Sequence, residues 1–334
     1  MLFRLWTRRD DAQPEANVPV DREETKANTP RIGLALGGGA ARGWAHIGVL
    51  RTLVSAGIIP DVIAGTSMGA VVGGAWAAGR LDVLEEWART ITRRRVLGLL
   101  DFRLGGSGLI NGGRLLHLMR HHFGDIAVED LDTRFAAIAT ETGSGHEIWL
   151  TRGNLTEAIR ASYALPGLFS PVKVAGRWLM DGALVNPIPV SAARALGARV
   201  VIAVNLNADA FGRGTVIQHH GLNADAEPEL QDAPDLRQGV GRIFRMQRRF
   251  NRDVVGQGQG PGGITSVMVD AFNITQDRIA RSRLAGDPPD LMISPRLGDV
   301  GLFEFHRAEE AIRLGAEAAE RALAEISETI ASLR

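Results

Sequence analysis

Residues 31–79 read RIGLALGGGAARGWAHIGVLRTLVSAGIIPDVIAGTSMGAVVGGAWAAG, and this stretch decides the fold. It contains two short apolar runs that each end in a glycine-rich loop, and each loop leads into residues with helical spacing. Strand, helix, strand and helix within about 50 residues predict a βαβ unit and a largely parallel sheet. The predicted strands cover Arg31–Leu36 and Asp61–Gly65, and the predicted helices cover Ala41–Ser55 and Ser67–Ala78.

Composition excludes several classes of function. The chain has 334 residues, 38 basic and 38 acidic side chains, and no cysteine. The missing cysteine excludes disulfides, thiolate nucleophiles and Cys-ligated metal centres, and the zero formal net charge argues against nucleic acid as a partner. Glycine is the outlier, at roughly 12% against a usual ~7%, and 12 of the 40 glycines lie between Gly33 and Gly79.

The N-terminal residues 1–30 are polar and without periodicity, which predicts a flexible tail. Residues 1–9 lack the apolar run that a secretory signal requires, so we expect a cytoplasmic protein, which leaves peripheral contact at the inner membrane surface open. The uncharged stretch 62–79 holds five glycines and few large aliphatic residues. It is therefore interpreted as a segment buried in the protein core and not as a membrane span.

The chain as a whole predicts one α/β domain, a three-layer α/β/α sandwich around a mostly parallel sheet. Residues 31–200 form the first part of this domain in the prediction, and 201–334 form the C-terminal part of the same fold. Polar sequence with glycine and proline at about 207–263 predicts a lid-like or disordered insertion. Further strands are predicted at 135–140, 147–150, 200–205 and 291–294, and further helices at 115–122, 155–163, 190–196, 266–284 and 304–333.

Ser67 is the candidate nucleophile. It is the serine of a G-x-S-x-G motif, residues 65–69, between a predicted strand and a predicted helix. A serine in that context occupies a sharp, strained turn, and the flanking Gly65 and Gly69 leave room for it. The helix that follows directs backbone N–H groups and its positive dipole end at the reacting centre. The alternative interpretation is a glycine-rich turn with a buried serine.

The second glycine cluster, 37–43, presents successive backbone N–H groups that can bind a phosphate or a developing oxyanion. A dinucleotide site is disfavoured because Arg42 stands at the third glycine position of G-x-G-x-x-G, and because Asp61 begins its strand instead of ending it. No Walker lysine follows. We therefore expect an oxyanion loop formed by Gly38, Gly39, Ala40, Arg42 and Gly43.

A serine nucleophile needs a base, and the histidines are weak candidates. The order Ser67, Asp181, His306 matches that of α/β-hydrolases. However, His306 falls in the opening turns of a predicted helix and not on a loop after a strand. His46 lies inside the first predicted helix and is interpreted as a packed or hydrogen-bonded histidine.

Asp181 has a better context. It follows a predicted hairpin over 172–180 that turns at Ala175-Gly176, and Gly182 allows close backbone approach to its carboxylate. In a dry cleft, burial raises the pKa of an aspartate and strengthens its hydrogen bond to a serine. The alternative interpretation of Asp181-Gly182 is a plain turn.

Together these elements resemble the patatin-like phospholipase family, in particular the bacterial branch related to the catalytic domain of neuropathy target esterase. The resemblance covers about residues 32–188. It rests on the glycine loop followed by Trp44-Ala45-His46, on Gly65–Gly69, on the segment 161–171 and on Asp181-Gly182-Ala183.

The resemblance implies a Ser–Asp dyad of Ser67 and Asp181, an acyl-enzyme intermediate, and no metal or cofactor. It also implies lipid ester substrates of the phospholipid or lysophospholipid class. One departure is Ala40, where the family carries glycine. Alanine is acceptable there if its φ angle is negative.

Two other readings stay open at this point: a Ser-His-Asp esterase, and a non-catalytic lipid-binding or regulatory protein with this fold. An independent feature is the stretch 236–252, which has six arginines, no acid and apolar residues at helical spacing. Such a segment could contact an anionic membrane, or pack as a solvated helix on the domain. Oligomeric state is left open.

Overall fold

The structure is a computed structural model, and it describes residues 30–95, 108–110, 112–209 and 264–333. The predicted tail, apart from Pro30, lies outside the described residues. So do most of the predicted insertion at 207–263 and the whole of the basic stretch 236–252.

Ten strands and eight α-helices are found in the described residues. The strands are β1 (Ile32–Leu36), β2 (Val62–Thr66), β3 (Gly108–Ile110), β4 (Arg134–Glu141), β5 (Glu147–Leu150), β6 (Gly167–Phe169), β7 (Val172–Val174), β8 (Arg177–Asp181), β9 (Val200–Val204) and β10 (Leu291–Ile293). The helices are α1 (Ala45–Ser55), α2 (Met68–Ala77), α3 (Leu81–Thr90), α4 (Gly113–Phe123), α5 (Leu155–Ser162), α6 (Val190–Ala195), α7 (Ile264–Gly286) and α8 (Ala308–Ser332). Short 3₁₀ turns cover Ala40–Trp44, Val128–Asp130, Gly182–Leu184 and Phe305–Arg307.

A mixed, mostly parallel sheet forms the middle layer. Its strand order is β10-β9-β1-β2-β4-β8-β7, and β5 pairs in addition with β4. The five strands from β10 to β4 run parallel, whereas β8, β7 and β5 are antiparallel to the strands they pair with. The chain leaves β1 toward β2, while β9 joins β1 on its other side. In open α/β sheets ligands bind at such a switch point, beyond the carboxyl ends of the strands.

Both faces of the sheet are covered by helices, and every residue of β1, β2 and β9 is buried. One face, represented by Leu34 and Ile63, packs against α1–α5 and α8. The opposite face, represented by Ala35 and Ala64, packs against α6 and α7. Strands buried on both faces read as continuous apolar runs, which is why β1 and β2 were recognisable in the sequence. The predicted three-layer α/β/α sandwich is confirmed.

Helix α1 crosses α8 at unusually short range because a glycine stands on each side. A Cβ added to Gly48 would overlap the carbonyl oxygen of Ile312, and one added to Gly315 would overlap the carbonyl oxygen of Ala45. The two backbones therefore touch directly. This contact fastens the helix after the glycine loop to the last helix of the described chain.

Several boundaries differ from prediction for local reasons. Helix α1 begins at Ala45 and not at Ala41, because residues 40–44 form a 3₁₀ turn. The last helix begins at Ala308 and not at Glu304, because a 3₁₀ turn at Phe305–Arg307 precedes it. Helix α3 and the small parallel sheet of β3 and β6 were not predicted.

The uncharged stretch 62–79 divides into β2 and the buried helix α2, as its glycines indicated. Among the helices of the described ranges, none combines the length and apolarity needed to cross a membrane.

Candidate active site

The turn from β2 into α2 holds Ser67 in a strained conformation, with φ 54° and ψ −121°. A Cβ on Gly65 would lie 2.5 Å from the carbonyl oxygen of Gly69, and a Cβ on Gly69 would overlap the carbonyl oxygen of Leu36. Both glycines of the motif are therefore required by close backbone packing. A non-glycine residue at positive φ is costly, and such strain is found where function requires the geometry.

Two hydrogen bonds orient Ser67. Its Oγ donates to Oδ2 of Asp181 at 2.7 Å, and its backbone N–H donates to Oγ of Ser162 at 2.9 Å. Ser162 is fully buried and is the last residue of α5. The first turn of α2 closes on the other side, where the N–H groups of Ala70 and Val71 donate to the Ser67 carbonyl at 2.9 and 3.1 Å. The hydroxyl is thus held against a carboxylate by fixed neighbours.

Asp181 ends β8 and is only 2% exposed. Its Oδ1 accepts the backbone N–H of Ala183 at 2.8 Å, and its carbonyl accepts the hydroxyl of Thr140 at 2.8 Å. Burial raises the pKa of Asp181 from 3.8 to about 7, against the opposing effect of the hydrogen bonds from Ala183 and Ser67. The carboxylate can therefore exchange a proton near neutral pH, as a general base must.

The predicted hairpin places this aspartate. Val174 pairs with Arg177, so the turn consists of Ala175 and Gly176, as predicted. Both turn residues have positive φ, 47° and 84°, which is the requirement of a two-residue type I′ turn. After Asp181 the chain passes close to β4, and a Cβ on Gly182 would overlap the carbonyl oxygen of Ile138.

The start of the glycine loop is anchored on all sides. The N–H of Gly37 donates to Val204 at 3.1 Å, and the N–H of Gly38 donates to Pro187 at 3.0 Å. The Gly37 carbonyl accepts from Nε2 of His46 at 2.7 Å, and the Gly38 carbonyl accepts from the amide of Asn207 at 3.4 Å. Both peptides are therefore committed to the scaffold.

The five residues predicted for the oxyanion loop are placed differently from one another. Gly39 and Ala40 line the same cavity as Ser67, and within the described part of the chain their N–H groups have no acceptor. Gly38 donates its N–H to the scaffold, and Gly43 packs against Met68, which itself lines the cavity.

Arg42 is the fifth of these residues, and it points away from Ser67. Its N–H donates to the Gly39 carbonyl at 3.1 Å, its Nε donates to the carbonyl of Val300 at 2.8 Å, and its guanidinium donates to Oδ1 of Asn207 at 3.0 Å. Burial lowers the pKa of Arg42, with the charge of Asp209 opposing. Arg42 thus connects the loop to the C-terminal part of the chain.

Ala40 does not meet the condition expected of an alanine at this position. Its φ is 47°, a left-handed value that costs an L-amino acid about 1–2 kcal/mol. A glycine would adopt this conformation without strain. Position 40 is therefore a second strained residue beside Ser67.

Neither His46 nor His306 is hydrogen-bonded to Ser67. His46 is completely buried, and burial lowers its pKa to about 4, so it is neutral and donates from Nε2 to Gly37. It is the packed, hydrogen-bonded histidine that the sequence suggested. His306 lines the cavity, but its Nε2 accepts from Nε of Arg93 at 3.2 Å. Among the described residues, Asp181 alone hydrogen-bonds Oγ of Ser67.

A cavity of about 810 Å³ opens at Ser67. Its walls are mostly apolar and come from α2, α3, α4, α7 and the segment before α8. Aromatic pairs stiffen them: the ring centroids of Trp44 and Trp87 are 5.9 Å apart, and those of Tyr163 and Phe169 are 5.5 Å apart. A cavity of this size and character suits a long apolar group.

Sequence reasoning did not single out Ser162 or Asn207 as site residues. Ser162 lies in the segment 161–171, on which the family resemblance partly rests. The sequence around a serine at the end of a helix does not indicate which group that serine bonds. Asn207 acts on Gly38 from 169 positions away in the sequence. Only the three-dimensional arrangement reveals both roles.

The chain is similar to several known proteins. The sequence model of the patatin-like phospholipase family matches residues 34–194. An uncharacterized NTE family protein of Mycobacterium tuberculosis is 34% identical over 341 residues, which cover 89% of this chain and 92% of that protein. Neuropathy target esterase of Drosophila melanogaster is 36% identical over 183 residues, covering 52% of this chain and 13% of that protein. The crystal structure of VipD from Legionella pneumophila covers 89% of this chain and 67% of that one, with a TM-score of 0.42 and 13% identity. The chain belongs to the patatin-like phospholipase family, among its members related to neuropathy target esterase.

Proposed function

We propose that this protein is a serine hydrolase that cleaves acyl esters of phospholipids or lysophospholipids through a dyad of Ser67 and Asp181. The observation that carries the proposal is the 2.7 Å hydrogen bond from Ser67 Oγ to Asp181 Oδ2 at the mouth of an apolar cavity. Membership of a phospholipase family supports a lipid ester as the substrate class. The cavity would receive the acyl chain and place its carboxyl ester at Ser67.

In the first step, Ser67 Oγ attacks the ester carbonyl carbon and its proton passes to Asp181. The carbonyl π electrons move onto oxygen, and the N–H groups of Gly39 and Ala40 donate hydrogen bonds to that oxyanion. When the tetrahedral species collapses, the ester C–O bond breaks and the departing alcohol takes the proton from Asp181. Ser67 then carries the acyl group as an ester.

In the second step, water attacks the acyl-enzyme while Asp181 accepts one of its protons. Collapse of this second tetrahedral species releases the fatty acid and returns the proton to Oγ of Ser67. The same carboxylate serves as base and then as acid in both halves of the cycle. A pKa near the working pH is what such a role requires.

The raised pKa of Asp181 sets the direction of the pH dependence. The base must be ionised, so kcat/KM should rise about tenfold per pH unit below pH 7. It should level off above the pKa of about 7. A base with an ordinary aspartate pKa would give a profile that is flat from pH 5 upward, and that result would contradict the assignment.

Three variants test the dyad on a p-nitrophenyl ester and on a lysophospholipid. Ser67→Ala and Asp181→Asn should each lose activity by about 10³-fold or more, while His306→Ala should retain it. Activity retained in Asp181→Asn but lost in His306→Ala would replace the dyad by a histidine-dependent esterase. A folded wild-type protein that neither turns over esters nor reacts with a fluorophosphonate at Ser67 would be a non-catalytic lipid-binding protein instead.

A further inference from the structure

Gln276 is a largely buried residue whose side-chain amide lies at the wall of the Ser67 cavity. It lies on α7, is 5% exposed, and lines the cavity that contains Ser67. Among the described residues nothing hydrogen-bonds its side chain. The next residue shows the contrast, because Asp277 is paired with Nε of Arg281 at 2.8 Å.

The amide nitrogen of Gln276 points at the glycine loop beside the nucleophile. A Cβ built on Gly38 would lie 3.1 Å from Nε2 of Gln276, 3.4 Å from Cβ of Ser67 and 3.6 Å from Cβ of Ala183. The amide and the serine therefore flank one point above the loop. The carbonyl oxygen of an ester attacked by Ser67 would have to lie at this point for Nε2 to reach it.

We propose that Gln276 is a catalytic residue that donates a hydrogen bond from Nε2 to the developing oxyanion. Gln276 would act as a third donor beside the N–H groups of Gly39 and Ala40. This inference rests on the proposed function. Side-chain amides stabilise oxyanions well because they are neutral, fixed dipoles that need no reorganisation during the reaction. Helix α7 lies outside the residues 34–194 that match the family model, so the C-terminal part of the chain would contribute directly to the chemistry.

The test compares Gln276→Met with Thr275→Val on the same helix. Methionine has nearly the length of glutamine but no N–H donor, whereas Thr275 is exposed to solvent. Gln276→Met should lower kcat for a p-nitrophenyl ester about 100-fold, with KM changed little. Thr275→Val should match the wild type.

A trifluoromethyl ketone separates an oxyanion donor from a residue that only shapes the pocket. Ser67 adds to the ketone and forms a hemiketal oxyanion, so its affinity should fall in Gln276→Met by the same factor as kcat. Gln276→Glu keeps the shape of the side chain but places an anion beside the oxyanion. It should be less active than Gln276→Met at pH 8.

The outcomes are distinguishable. An unchanged kcat in Gln276→Met, or a raised KM with unchanged ketone affinity, would overturn the role of Gln276 while leaving the dyad intact. Absence of turnover in the wild type would overturn the proposed function and this inference together. Thermal unfolding of each variant verifies the fold, and the isosteric Gln276→Glu gives the answer if Gln276→Met does not fold.

Discussion

Replacing Asp181 by asparagine should stabilise the protein at alkaline pH while abolishing its activity. In the folded chain the pKa of Asp181 rises from 3.8 to about 7 because the carboxyl is buried. Between those values the folded state keeps a proton that the unfolded state has lost, so stability falls as pH rises. A difference of about 3 units corresponds to about 4 kcal/mol of unfolding free energy. Asparagine has no proton to lose and escapes this penalty.

The assay is urea-induced unfolding of the wild type and of Asp181→Asn at pH 5, 6, 7 and 8. The difference in unfolding free energy between variant and wild type should grow by up to about 1.4 kcal/mol per pH unit and level off above pH 7. Other titrating groups are common to both proteins and cancel in the difference.

Ser67→Ala is the matched control, because it is equally inactive but keeps the carboxylate. Its stability should still fall with rising pH. The Ser67 hydroxyl lowers the pKa of Asp181. Without this hydroxyl, the decrease in unfolding free energy should therefore continue to a higher pH than in the wild type. A pH-independent difference between Asp181→Asn and wild type would refute the raised pKa and the view that the site is held at a cost in stability.

Three further substitutions test the scaffold around the dyad. Ser162→Ala removes the acceptor of the Ser67 N–H, so the free energy of unfolding in urea should fall by about 1–3 kcal/mol. We also expect kcat to fall by a larger factor than KM rises. An unchanged kcat would show that this hydrogen bond does not position the nucleophile. Gly48→Ala places a Cβ against the backbone of α8 and should lower the free energy of unfolding by about 3 kcal/mol or more. In the control Gly286→Ala the Cβ meets open space, so the free energy of unfolding should change by no more than about 0.5 kcal/mol. Equal melting temperatures of the two variants would rule out the direct backbone contact. Ala175→Asn places a residue suited to positive φ in an exposed type I′ turn, so it should raise the free energy of unfolding by up to about 1 kcal/mol without changing activity. A lower melting temperature would contradict the turn assignment.

Much of the fold was predictable because its signals are local. Central parallel strands are buried on both faces, so β1 and β2 appear as apolar runs that need no knowledge of their neighbours. The two glycines around Ser67 mark a turn whose steric demand lies within the segment from Leu36 to Ala70. Asp181 was predictable because the type I′ hairpin before it has its own sequence pattern.

The rest depended on contacts between distant segments. Which N–H groups of the glycine loop are free is decided by Val204 and Pro187, which accept the hydrogen bonds of Gly37 and Gly38. Ser162 and Gln276 are single polar residues on helices, and their significance comes from what lies opposite. Helix α3 is a different case, since Leu81, Leu84 and Ala88 form an apolar stripe that was present in the sequence and overlooked.

The contacts of the glycine loop and α1 with Val300, Leu302 and α8 have a consequence for biosynthesis. The N–H of Ala41 donates to the carbonyl of Leu302 at 2.9 Å, Arg42 holds Val300, and α1 rests on α8. A nascent chain can build the serine turn early, but it cannot fix the loop until Val300, Leu302 and α8 have left the ribosome and docked. In refolding experiments the proposed ester turnover should therefore lag behind the recovery of far-UV circular dichroism. Simultaneous recovery would mean that the loop assembles without its C-terminal partners.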